Sequence, residues 1–450
     1  MSRNSVDGTG MLRFYDRVTG IFNDIFDARL LTVALFALES YCVLFTQRKF
    51  PMRWMIFVLF GMILLLAVTL TARTGERTRV SFSKLMVGLW FALHTMMVIS
   101  GLFYQDWLPE SIPLLICYPV MFSVFASRED EGVFRAILRA AMLSVLPFLV
   151  WSLIARPISW GRLGYMGVFY DANPLAMCCV VMASSAMLLA YADWRQRRMK
   201  EFVVCLLLGA LAVVVLVFTM SRSCLLAFAG VTVIIVGTIV AGTVRHPGRW
   251  IAALSVVVVL ALVAGVRFTR EKIYESYVED YELAVYNHET YGDPILIPKP
   301  EDRKLSMDDL TSDRWGIWQV IMKNLTWNGH PTSVVKEWVA IDGAGDRHFN
   351  AHNAFLGVAY NNGWIAGLLL CAYTIAAFVR AFRYYWIHRK HSVWAATPLT
   401  FCTVFILVGM FESVYAPFSV IGCTFLLIQA PLWRADLSLN GPESGKEQKA

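Results

Sequence analysis

Residues 202–242 read FVVCLLLGALAVVVLVFTMSRSCLLAFAGVTVIIVGTIVAG. Two apolar runs, 202–219 and 224–242, are separated only by Met220-Ser221-Arg222-Ser223. Each run comes close to the roughly 20 residues that a helix needs to cross a bilayer core. Lipid offers the backbone no hydrogen-bond partners, so such runs must be helices that satisfy their own amides and carbonyls. The short connection leaves room for a turn and nothing more, so the pair reads as a helical hairpin in a membrane.

The rest of the chain repeats this pattern. Of its 450 residues, 57% are hydrophobic and only 16% are charged, whereas soluble domains carry about 25% charged residues. The apolar runs fall at about 30–46, 54–72, 85–103, 110–126, 137–155, 173–192, 202–219, 224–242, 250–267, 353–379, 393–411 and 417–433. The expected fold class is therefore an all-α polytopic membrane protein of about 12 transmembrane helices, with one large, partly helical periplasmic loop. Residues 1–29 read as a cytoplasmic segment, 30–267 as helices one to nine, 268–351 as the loop, 352–433 as helices ten to twelve and 434–450 as a polar cytoplasmic tail. Nothing in 1–29 resembles a cleavable signal, because no short apolar core with a small-residue cleavage site follows a basic start.

Orientation follows the Lys/Arg bias of the short loops. Arg195, Arg197, Arg198 and Lys200, then Arg245 and Arg249, then Arg380, Arg383, Arg389 and Lys390 alternate as cytoplasmic loops should. The 268–351 loop then faces the opposite side. Arg48, Lys49 and Arg53 resist this pattern, since alternation puts them outside. The net charge of +7 is accounted for by these loops and implies no nucleic-acid partner. All nine cysteines lie in or beside apolar runs, so neither a disulfide framework nor a cysteine zinc site is expected in the loop.

Within the loop, 271–282 mixes Tyr, Val and acids and reads as a surface helix. Ser312-Asp313 marks a helix start, and Arg314, Trp315, Trp318, Val320, Ile321 and Leu325 form an amphipathic run that Asn328-Gly329-His330-Pro331 ends. The loop closes on Ala351-His352-Asn353-Ala354-Phe355-Leu356. A histidine at that place sits at the membrane–water boundary. Imidazole ordinarily titrates near pH ~6.5, which suits a general base at neutral pH. A helix cap or an interfacial histidine is the plainer reading of His352.

Arg222 cannot retreat far into water from so short a turn. Its planar guanidinium matches phosphate oxygens in a bidentate pair. A snorkelling arginine is the plainer reading, but positive residues are normally kept on the cytoplasmic side and this turn faces away from it. Arg314 supplies a second guanidinium, with Asp313 beside it as the alternative partner. Lys336 is a further basic candidate, or a solvated surface lysine. Together these residues suit an enzyme acting on a lipid-linked, phosphate-bearing substrate. Magnesium at a phosphate is usually held by carboxylates, and the loop has no Asp-x-Asp pair. Asp308 and Asp309 are adjacent, and Asp280-Tyr281-Glu282 reads as a solvated acidic face. A site without metal or cofactor is expected.

Other arrangements compete. His288, His330 and His348 are rival bases on the loop. Ser221 or Ser223 with His352 could form a nucleophile pair, although no Gly-x-Ser-x-Gly elbow is present. Glu39 and His94 lie inside apolar runs, where ionisable groups are functional candidates by default; they would suit the proton relay of a transporter. Asn324-Leu325-Thr326 matches a glycosylation sequon.

The motifs in their order resemble the O-antigen ligase and polymerase superfamily. They are Thr219-Met220-Ser221-Arg222-Ser223, Arg314-x-x-x-Trp318 in a large loop, and His352-Asn353-x-x-Leu356 leading to Gly363. Residues 162–176 resemble that family's Asn-Pro-Asn-x-x-Ala segment through Asn173-Pro174-Leu175-Ala176, with leucine in place of the second asparagine. The resemblance implies a multi-pass enzyme of the bacterial inner membrane whose active site faces the periplasm. The donor would be an undecaprenyl-diphosphate-linked glycan. The acceptor would be a lipid A–core for a ligase, or another glycan for a polymerase. It implies that Arg222 and Arg314 bind the diphosphate, and that His352 activates the acceptor hydroxyl with inversion at the anomeric carbon. Arg162, Asn173, Asn353, Trp318 and Lys336 would contact substrate. The glycines Gly363 and Gly367 depart by one place from the ligase spacing, so both activities stay open.

Overall fold

A computed structural model describes residues 28–47, 54–72, 80–104, 108–127, 132–158, 164–243, 247–291, 314–331 and 351–437. Among these residues every extended element is a helix. In chain order they are α1 Ala28–Gln47, α2 Trp54–Ala72, α3 Lys84–Tyr104, α4 Leu108–Ile112, α5 Tyr118–Ala126, α6 Gly132–Ala155, α7 Ala172–Arg195, α8 Met199–Thr219, α9 Arg222–Thr243, α10 Pro247–Tyr291, α11 Arg314–Lys323, α12 Ala354–Asn362, α13 Trp364–His388, α14 Thr397–Gly409 and α15 Val420–Gln429. Nine of the described helical segments are long and apolar enough to cross a membrane, and Thr397–Gly409 and Val420–Trp433 are shorter apolar helices. Many point large apolar side chains outward, as Leu59, Ile63 and Leu66 do on α2 and Val203, Leu206 and Leu207 on α8. A helix apolar on its outer face suits lipid rather than water. Helix α7 is the central one, with nearly all of its apolar window enclosed by other helices.

Sequence-distant contacts define two ends of the bundle. At one end the Gln47 amide donates to the Val168 carbonyl and the Tyr165 amide to the Phe218 carbonyl. There too Ser100 donates to the Asn361 carbonyl, and Asn353 to that of Met410. At the other end Arg135 pairs with Asp193 at 2.6 Å, Arg380 donates to the Leu432 carbonyl and Arg434 to that of Ala126. The second end carries Arg195, Arg197, Arg198 and Lys200 between α7 and α8, and Arg389 and Lys390 after α13. Residues 48–53, with the discordant Arg48, Lys49 and Arg53, lie outside the described residues, but α1 ends at the first end.

Three elements differ from the expected pattern. The ninth apolar run does not stop at 267: α10 continues to Tyr291, 45 residues in all. No glycine or proline follows Gly265 within it, and the surface pairs Arg267–Glu271 (2.8 Å) and Lys272–Glu275 (2.5 Å) lie at helical spacing. The expected single run at 353–379 is two helices. Gly363 adopts φ +93°, a conformation open to glycine, and the chain folds back so that Gly367 packs on Ala359. The fourth run is interrupted by a π turn over Pro113–Cys117, because a proline inside a helix removes one hydrogen bond and clashes with the preceding turn.

Candidate functional site

The short connections expected from the sequence gather at the first end. Helix α8 closes on Met220, which takes a left-handed conformation with φ +57°, and α9 opens at once with Arg222. The Leu225 amide donates to the Ser221 carbonyl, and only Met220 and Ser221 lie between the two helices. Arg222 is exposed at the head of α9, while Ser221 and Ser223 are buried with their hydroxyls 3.4 Å apart. The Tyr165–Phe218 contact brings the 164–171 loop against this turn. Asp171 caps α7, and Asn173 lies in the first turn that follows.

His352 is built with comparable care. Its φ of +45° is left-handed, which costs a non-glycine residue about 1–2 kcal/mol. Neighbouring side chains hold that turn. The Trp318 indole N–H donates 2.9 Å to the Ala351 carbonyl. Asn353 caps α12, accepting from the amides of Phe355 and Leu356 at 3.0 and 2.9 Å. Its amide nitrogen donates 2.9 Å to the Met410 carbonyl. In this structure Trp318 and Asn353 therefore spend these groups on the backbone around His352.

Glu412 joins the pieces. It follows α14 in the tight connection to α15 and is buried, with 4% of its surface exposed. The Arg314 Nη2 donates to Oε1 at 2.7 Å, and the same guanidinium donates from Nη1 to the Phe411 carbonyl. The His352 Nδ1 lies 3.3 Å from Oε2. One carboxylate thus holds both the arginine and the histidine singled out from the sequence. Helix α9 packs along α14, its Gly230 facing Thr403 and Leu407, so the head of α9 that bears Arg222 lies toward the end of α14 that Glu412 follows. Asp313, the expected partner of Arg314, lies outside the described residues.

Sequence reading passed over Glu412, although a signal was there. It is the one charge between two apolar runs, at 393–411 and 417–433, just as Arg222 is between 202–219 and 224–242. The rule that makes a lone membrane-embedded charge a functional candidate applies to both.

The rivals fare differently. His330 is buried, its Nδ1 lying 3.0 Å from the Tyr360 carbonyl and its ring stacked on Tyr360. Glu39 accepts from Thr424 at 3.0 Å. His94 lies between the Trp90 carbonyl at 2.8 Å and the Tyr415 hydroxyl at 2.6 Å. Glu39 and His94 thus each meet a local partner. Arg162, Lys336, His348 and the Asp308-Asp309 pair lie outside the described residues, as does the side chain of His288. Among the described residues no group of three or more His, Cys, Asp or Glu could hold a metal ion.

No family model matches this chain, and no curated protein matches its sequence. The site combines the Arg314 guanidinium with an imidazole backed by a carboxylate, at the end of an apolar bundle where the exposed Arg222 heads α9. Such a set can bind a polyanionic leaving group and accept a proton.

Proposed function

We propose that the chain is a membrane glycosyltransferase of the O-antigen ligase type, crossing the bacterial inner membrane about 12 times, with this site facing the periplasm. It would move a glycan from undecaprenyl diphosphate to a lipid A–core acceptor. The observation that carries the reading is the shared carboxylate: Arg314 and His352 both meet Glu412, at the end of the bundle where Arg222 heads α9. The orientation rests on the basic connections at the opposite end.

The donor arrives already activated, so the protein need only position it, stabilise the charge that develops on the diphosphate and remove one proton. Arg222 and Arg314 would take the diphosphate. His352 would take the acceptor's proton, and attack from the far side of the sugar would invert the anomeric carbon. Neither metal nor cofactor has a part in this scheme. Asn173, at the head of α7, would contact donor or glycan.

A polymerase of the same superfamily is the second reading, favoured by the Gly363–Gly367 spacing. It would use the same residues with another glycan as acceptor. The test is transfer by purified protein from undecaprenyl-diphosphate glycan to defined core and glycan acceptors, with and without a chelator. His352→Ala is expected to abolish transfer, and Arg222→Lys to impair it strongly through loss of the bidentate fork. Full activity in His352→Ala would remove the proposed base. Loss of wild-type activity with chelator would refute the metal-free scheme.

A further inference from the structure

Resting on that reading, we propose that Glu412 is a positioning residue, which fixes the tautomer of His352 and the aim of Arg314 at once. The argument is geometric. A carboxylate buried beside α11 has only a few groups to satisfy it, and the structure provides Arg314 Nη2 on Oε1 at 2.7 Å and His352 Nδ1 at 3.3 Å from Oε2. An ionised carboxylate only accepts hydrogen bonds, so the His352 proton belongs on Nδ1. The lone pair for chemistry is then on Nε2. The left-handed backbone at His352 is held before it by Trp318 on the Ala351 carbonyl and after it by Asn353 on the Met410 carbonyl.

The transfer then balances without further participants. The acceptor oxygen forms a bond to the anomeric carbon as its proton passes to His352 Nε2. The anomeric carbon–oxygen bond to the diphosphate breaks, and its electron pair leaves with undecaprenyl diphosphate. The imidazolium formed keeps its Nδ1 proton directed at Glu412, while the guanidinium tied to the other carboxylate oxygen would offer its remaining N–H groups to the departing charge. Acceptor activation and leaving-group stabilisation would thereby share one anchor. The partner groups on packed elements are Arg314 from α11 and His352 ahead of α12.

The test uses the full chain in lipid nanodiscs, with histidine labelled with ¹⁵N. The chain has eight histidines, so the His352 signals are assigned by their loss in His352→Gln. Wild-type protein is expected to show the Nδ1–H tautomer at His352, and Glu412→Gln a mixture. In the transfer assay Glu412→Gln should lower kcat roughly 10²-fold, with the acceptor KM within about threefold of wild type. Glu412→Asp should recover kcat to within about tenfold, as a clamp that needs only a carboxylate would. A wild-type Nε2–H tautomer overturns the proposal without any variant. So does a His352 spectrum or a turnover unchanged in Glu412→Gln. A wild-type protein that transfers no glycan refutes the glycosyltransferase reading, while the tautomer result still decides the role of Glu412.

Discussion

Arg314→Met should unbalance the cluster in a way that a second substitution repairs. The side chains of Arg314 and Glu412 are only 12% and 6% exposed, so their 2.7 Å pair is a buried one. Removing one partner from a buried pair costs about 3–5 kcal/mol, mainly because the other charge is left uncompensated. Arg314→Met also strips the Phe411 carbonyl of a donor. Glu412→Gln removes the charge that the methionine leaves behind, so the double variant should regain about 2 kcal/mol or more relative to the sum of the single losses. The readout is unfolding in mixed micelles with increasing denaturing detergent, followed by the fluorescence of the 15 tryptophans. Each variant is compared at its midpoint and slope. Single losses that add within about 0.5 kcal/mol would mean the two groups do not interact. The pair as drawn, and the shared-anchor argument with it, would then fall.

Two further outcomes follow from the rest of the fold. Gly363→Ala should destabilise the protein by several kcal/mol, since strain at φ +93° costs roughly 1–3 kcal/mol and the new Cβ would lie 1.9 Å from the Trp327 carbonyl oxygen; a melting temperature equal to wild type would disprove that packing. Arg198→Cys should react with a membrane-impermeant maleimide only from the cytoplasmic face, and Trp327→Cys only from the opposite face, against the low background of cysteines in apolar segments. Labelling of both from one side would refute their placement at opposite ends, and the swapped pattern would reverse the orientation.

The helices were legible because lipid imposes a simple rule: a run of apolar residues must satisfy its own backbone. Where the rule is the only constraint, as at Met199–Thr219 and Arg222–Ala241, the sequence boundaries fall within a few residues of the structure. It failed where a local residue mattered more than mean hydropathy. Gly363 splits one apolar run because it tolerates a backbone that the flanking residues do not, and α10 passes its apolar limit because nothing after Gly265 breaks it. The site divides in the same manner. Arg222 and His352 could be found because each is a polar residue at the edge of an apolar run. Glu412 satisfies the same description, yet its role depends on which other charges the fold brings to it, and no sequence interval encodes that distance. A lone arginine invites a search for an external anion. A lone glutamate on the same end of the bundle shows that part of the arginine charge is answered from within. On the proposed function, a diphosphate bound here would have to share Arg314 with Glu412 or displace it, which would couple its binding to the state of His352.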